Sequence, residues 1–128
     1  MEIGVDIIEI DRIEAAAANP RFLERVYTSA ERERSTKRKK PGEELAGRFA
    51  SKEAVIKCLG RRVPWKQIEI LNEPSGKPYV RLTGLAASLA KGRAISLSIS
   101  HSKRYAVAMA VMEGETRKGA EETATEEE

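Results

Sequence analysis

The chain has 128 residues, 41% hydrophobic, 34% charged and only 5% aromatic, which predicts one domain with a modest aliphatic core. No apolar run approaches the roughly 20 residues that span a bilayer, so a transmembrane helix is excluded. The formal net charge of +3 hides an asymmetry: residues 113–128 hold seven acids and two bases, leaving 21 bases against 13 acids, net +8, on residues 1–112. A basic body suits nucleic acid, an anionic membrane surface, a phosphorylated ligand or an acidic protein. The start of the chain, Met1 to Asp6, lacks the basic and apolar regions of a signal peptide, and the one cysteine, Cys58, can form neither an intramolecular disulfide nor a cysteine-based zinc site. A cytoplasmic, reducing location is expected, with Cys58 a small buried hydrophobe.

Ile3 to Ile10 alternates, with Ile3, Val5 and Ile7 on one side and Gly4, Asp6 and Ile8 on the other, and predicts a strand. Asp11 with Glu14 reads as a capping box for a short helix through the alanines. Asn19-Pro20 closes that helix and opens another turn. Thr28 with Glu31 is a second capping signal, leading into Glu31–Lys40, which is polar enough to be a solvated helix or a loop. After Pro41-Gly42, residues Glu43 to Leu59 predict the longest helix, closed by Gly60, with Leu45, Phe49, Val55, Ile56 and Leu59 as its apolar arc. Residues 67–71 and 78–82 alternate as strands around a turn-rich link at 73–77. Thr83 caps a short helix that stops at Gly92. Ile95, Leu97 and Ile99 alternate with serines, and Tyr105, Val107, Met109 and Val111 share one face beyond His101-Ser102-Lys103, which predicts a hairpin.

The order strand, helices, two strands, helix, hairpin predicts a small α+β domain, a long central helix packed on short, mostly antiparallel strands. The domain is expected over residues 1–112, with residues 113–128 an acidic disordered tail. Five short strands with few aromatics leave an apolar face that favours oligomerisation.

Asp6 is an acid within an otherwise apolar strand, costly to bury unless something positive meets it; the alternative is a strand whose second face is wet. Glu53 and Lys57 are spaced i,i+4, as in an ordinary surface ion pair. However, Glu53 falls at the edge of the apolar arc, Lys52 falls inside it, and Arg48 adds a charge one turn earlier. That edge reads as one wall of a polar site, although lysines also snorkel. His101 is the only histidine, so a multi-histidine zinc site is excluded and any metal must be held mainly by carboxylates, as Mg²⁺ or Mn²⁺ is. Neither a Walker A pattern nor G-x-G-x-x-G occurs.

Several stretches match a known family. Ile3-Gly4-Val5-Asp6-Ile7-Ile8-Glu9-Ile10-Asp11-Arg12-Ile13 resembles the N-terminal motif of holo-[acyl-carrier-protein] synthases. Gly47-Arg48-Phe49-Ala50-Ser51-Lys52-Glu53-Ala54-Val55-Ile56-Lys57 is similar to their second motif, Ser75-Gly76-Lys77-Pro78-Tyr79 to their Gly-Lys-Pro loop, and Ser98-Ile99-Ser100-His101-Ser102 to their third motif. The resemblance implies transfer of 4′-phosphopantetheine from coenzyme A to a serine of apo-acyl carrier protein, releasing adenosine 3′,5′-bisphosphate, in fatty acid biosynthesis. It implies Asp6 and Glu53 as ligands of Mg²⁺, with Mn²⁺ an alternative, and Lys57 as a neutraliser of the phosphates. Arg48 and His101 would face the nucleotide end, Gly76, Lys77 and Pro78 would shape the adenine side, and Gly60, Ser100 and Ser102 would join the coenzyme A contacts. Asp6, Glu53, Lys57 and His101 are the catalytic set it implies. Glu53, a metal-bound water or a phosphate oxygen could take the serine proton.

The same resemblance implies a homotrimer with the cleft between subunits, and a helix carrying Arg12, Arg21 and Arg25 as the docking surface for the acidic carrier protein. The chain departs from the family pattern at Glu2, at Arg61 and Arg62, where small residues are frequent, and in its long acidic tail. A Mg²⁺-dependent nucleotide hydrolase would use the same carboxylates on water. A nucleic-acid-binding module would use Arg32 to Lys40, but that run lacks interleaved aromatics for base stacking. Neither nucleic acid nor a membrane is the expected partner.

Overall fold

Strand β5 (Tyr105–Met112) alternates small and large side chains, and the small ones go inward: Ala106, Ala108 and Ala110 are buried while Tyr105 and Met109 are exposed. The computed structural model describes residues 1–114, and its long helix α4 (Pro41–Leu59) lies against this alanine face with its own buried Ala46, Ala50 and Ala54. Small residues on both sides bring helix and sheet close together.

The remaining elements are β1 (Glu2–Glu9), α1 (Ile10–Ala17), α2 (Pro20–Val26), α3 (Ser29–Thr36), β2 (Ile68–Asn72), β3 (Pro78–Leu82), α5 (Gly84–Ala90) and β4 (Ile95–His101), with a 3₁₀ turn at Trp65–Gln67. The α+β architecture is as expected. One antiparallel sheet has the order β1-β5-β4, and β2-β3 forms a separate antiparallel hairpin. One core joins Val55, Ile68, Ile70 and Leu97 beneath α4; a second, under α1 and α2, gathers Ile10, Ile13, Val26, Tyr27 and Leu45. Each fully buried aliphatic side chain contributes about 1.5–3 kcal/mol. Cys58 is buried as expected, its Sγ 3.3 Å from the carbonyl of Ala110. No helix among the described residues is long and apolar enough to cross a membrane. Residues 115–128 of the expected tail lie outside the described residues.

Several local expectations are corrected. Asp11 and Glu14 form no capping box: β1 runs straight into α1, Glu9 sits at the N-cap without a side-chain cap, and the Ile10 N–H donates to Arg104 O instead. Thr83 precedes α5 but makes no side-chain cap either. Asn19 does cap α2, and Thr28 with Glu31 forms a complete capping box on α3. The apolar face of β1 and β5 (Ile3, Val5, Ile7, Met109) is the open one, because only the side bearing Gly4 and the alanines admits α4. Asp6 therefore stands on the packed face, not on a wet one.

The stretch from Glu31, read as a solvated helix or a loop, is helical as far as Thr36 and buries Glu31 and Ser35. The side chains of Glu31 and Lys52 are both 0% exposed and meet at 2.9 Å. Lys52 Nζ also donates to Ile68 O at 2.6 Å and Trp65 O at 3.2 Å, and lies 5.8 Å from the centre of the Tyr27 ring. Glu31 accepts from the Thr28 and Ile70 N–H groups at 2.8 and 2.7 Å, and the Tyr27 hydroxyl donates to Leu45 O. Burial pulls the Lys52 ammonium below its ordinary pKa, and the Glu31 carboxylate opposes that pull. Lys52 thus belongs to a structural network and not to the polar site expected on its helix. Removing one partner strands a buried charge, so Lys52→Met should cost about 3–5 kcal/mol of unfolding free energy in urea, and Glu31→Gln/Lys52→Met much less. Equal losses in the single and double variants would contradict this account.

Candidate active site

Gly4 determines where the acids of β1 and α4 meet. A Cβ there would fall 2.0 Å from the carbonyl oxygen of Ala54, so only glycine lets β1 lie this close to the helix. Two residues on, Asp6 projects from the same face of the strand toward Glu53 and Lys57 of α4. Lys57 Nζ stands 3.6 Å from Asp6 Oδ1 and donates to Val5 O at 2.7 Å. Burial raises the Asp6 pKa above its ordinary value; the Lys57 charge opposes this and the Glu53 charge adds to it. Glu53 is held by Arg62 through two N–H donations of 3.0 and 3.1 Å. Among the described residues no third carboxylate, histidine or cysteine joins the pair.

About one and a half turns before Glu53, Arg48 borders a cavity of about 650 Å³ that also meets Gly76, Pro78, Ile99 and His101. The Arg48 side chain is only 4% exposed. Its Nη2 donates to Asn72 Oδ1 and lies 3.2 Å from Glu44 Oε2, while its Nε has no hydrogen-bond partner among the described residues. Burial lowers the Arg48 pKa and Glu44 raises it. Asn72 passes the contact on, donating to Gly76 O at 2.9 Å across the β2–β3 turn. His101 Nδ1 is 3.3 Å from Glu43 Oε2. Lys37, Arg38, Lys39 and Lys40, beyond the end of α3, complete the rim. An orphaned, buried guanidinium N–H on a cationic cleft is a place for an anionic ligand.

The expected residues thus fall into two clusters joined by α4. Asp6, Glu53 and Lys57 come together, as do Arg48, Gly76, Pro78 and His101. Lys77 is exposed in the same turn, where its carbonyl accepts from the Glu73 N–H. Gly60 ends α4 in the left-handed conformation, φ 84°. Ser102 caps the hairpin turn, its hydroxyl accepting from the Arg104 and Tyr105 N–H groups. Ser100 lies on the opposite face of β4 from His101, among the open apolar residues. Arg12 is on α1, and Arg21 and Arg25 are on α2, so the basic surface spans two helices instead of one; all three are exposed. Asn72 gave no sequence signal, and Lys37 to Lys40 resembled a solvated flank.

Residues 2–110 match the family model of the 4′-phosphopantetheinyl transferase superfamily. The holo-[acyl-carrier-protein] synthase of Protochlamydia amoebophila is 47% identical over 115 residues, covering 85% of this chain and 94% of that protein. A crystal structure of a holo-(acyl-carrier-protein) synthase from Bacillus anthracis in complex with CoA (3′,5′-ADP) superposes with TM-score 0.76 at 38% identity, covering 89% of this chain and 96% of that one. That of Helicobacter pylori, in complex with coenzyme A, has TM-score 0.77 at 30% identity, with 87% and 99% covered.

Proposed function

The chain belongs to the 4′-phosphopantetheinyl transferase superfamily, and from that premise we propose that it transfers 4′-phosphopantetheine from coenzyme A to a serine of apo-acyl carrier protein. The observation that carries this reading is that α4 carries both Glu53, paired with Asp6 of β1, and a buried, under-bonded arginine on a basic cleft. Arg48 and Glu53 are about 7.5 Å apart along the helix axis. That spacing suits a ligand with a phosphate at one end and a pyrophosphate at the other.

In the transfer, the carrier serine hydroxyl gives its proton to a nearby carboxylate or phosphate oxygen, its oxygen forms a bond to the pantetheine-side phosphorus, the bond from that phosphorus to the bridging oxygen breaks, and adenosine 3′,5′-bisphosphate leaves. Arg48 Nε, His101 and the Lys37–Lys40 rim would bind the nucleotide end. Lys57, with its side chain half exposed, would neutralise the pyrophosphate. Asp6 and Glu53 would hold Mg²⁺. Two crowded carboxylates, each repelling the other's charge, are hard oxygen donors that suit such an ion, and they leave positions for phosphate oxygens and water. When bound, the metal supplies positive charge to the phosphate oxygens. The exposed Arg12, Arg21 and Arg25 would draw in the acidic carrier protein.

Asp6→Asn and Glu53→Gln should each lower transfer by about a hundredfold or more without moving the unfolding midpoint. Near wild-type transfer by either variant at limiting Mg²⁺ would remove these residues as ligands.

We also propose that the open face of the β1-β5-β4 sheet is covered by further copies of the chain in a trimer. Ile3, Val5 and Ile7 on β1 are each more than half exposed and stand in register with Val111, Met109 and Val107 on β5. A continuous apolar patch of this kind marks an interaction surface. The protein should sediment near three times 14.2 kDa at micromolar concentration, and Val5→Glu should yield monomers that lose transfer. A wild-type monomer that transfers at full rate would contradict this.

A further inference from the structure

In the turn after α4, Arg62 spends its guanidinium on a residue assigned to the metal. Nη1 lies 3.0 Å from Glu53 Oε2 and Nη2 3.1 Å from Oε1, so one cation occupies both carboxylate oxygens. The Glu53 side chain is 15% exposed, whereas that of Arg62 is 65% exposed and free to swing outward without disturbing the core. A resting place is already at hand. The guanidinium carbon stands 5.2 Å from the centre of the Trp65 ring, and Trp65 is itself stacked on Phe49 at 5.0 Å. By contrast, Lys57 meets Asp6 only at 3.6 Å and donates its shorter bond to Val5 O.

A two-pronged fork and a divalent ion on the same carboxylate compete, both for lone pairs and through like charge. We propose that Arg62 is a resident counter-ion of Glu53 that a divalent cation must displace, so that Arg62 sets how tightly the Asp6–Glu53 pair takes the metal. The proposal rests on the reading of those two carboxylates as metal ligands. Displacement leaves the guanidinium near Trp65, the only tryptophan in the chain, whose emission reports the movement.

The test uses the full chain, alone and with coenzyme A, and follows free Mn²⁺ by electron paramagnetic resonance and Trp65 fluorescence during Mg²⁺ titration. Arg62→Gln should bind Mn²⁺ about three- to tenfold more tightly than wild type, while Arg61→Gln, which removes a neighbouring charge that makes no contact with Glu53, should stay within about twofold. Mg²⁺ should shift Trp65 emission in the wild type and not in Arg62→Gln. Unchanged or weaker Mn²⁺ binding by Arg62→Gln, or an equal gain in Arg61→Gln, would overturn the proposal. Wild-type Mn²⁺ binding by Glu53→Gln, or none by the wild type, would overturn the metal reading beneath it, and the Glu53 arm distinguishes that failure from the first.

Discussion

The contact between β1 and α4 at Gly4 is the constraint from which the rest of the site follows. With no Cβ at that position, the strand lies against the Ala54 carbonyl, and Asp6, two residues on, comes within reach of Lys57 and the charge of Glu53. The alanine face of β5 continues the same close packing across the sheet, which turns the larger apolar residues outward. One steric allowance therefore produces both the carboxylate cluster and the open sheet face that a second copy of the chain would cover.

The second organising feature is the buried Lys52–Glu31 pair. Four donors or acceptors from the N-cap of α3, the 3₁₀ turn and β2 converge on it: the Thr28 N–H, the Ile70 N–H, Trp65 O and Ile68 O. It fixes α3 against α4 and β2, and α3 ends at the basic residues on the cleft rim. On α4, Lys52 holds the fold while the adjacent Glu53 faces the site. Thr28 extends the network outward, donating to Glu69, which also accepts from Arg81.

Period-two and helical spacing made the elements legible, and the motifs around Asp6, Arg48, Glu53 and His101 made the site legible. What spacing does not contain is which of two apolar faces will be covered. In β1 and β5 the decision rests on size: Gly4 and three alanines accept a helix that Ile3, Val5 and Met109 would hold away. Likewise α3 shows no apolar stripe because its inward face is built from Glu31 and Ser35, and the burial of Glu31 depends on Lys52, which lies 21 residues further along the chain. The failed cap at Asp11 has a similar cause, since the β1–α1 junction satisfies its backbone through Arg104 in a distant turn. Asn72, between Arg48 and the Gly76 turn, works only through contacts the fold creates.

The central claim is that the cleft and the carboxylate pair act on one coenzyme A molecule to pass its phosphopantetheine arm to a protein hydroxyl. Mass spectrometry of apo-acyl carrier protein incubated with this chain, coenzyme A and Mg²⁺ tests it most directly, with nucleotide release followed in parallel and a second reaction lacking the carrier. The account predicts that the carrier gains the mass of one 4′-phosphopantetheine, matched by one adenosine 3′,5′-bisphosphate, and that nucleotide release without the carrier is negligible. Release of nucleotide at the same rate without the carrier, with the carrier mass unchanged, would contradict it and make the chain a hydrolase.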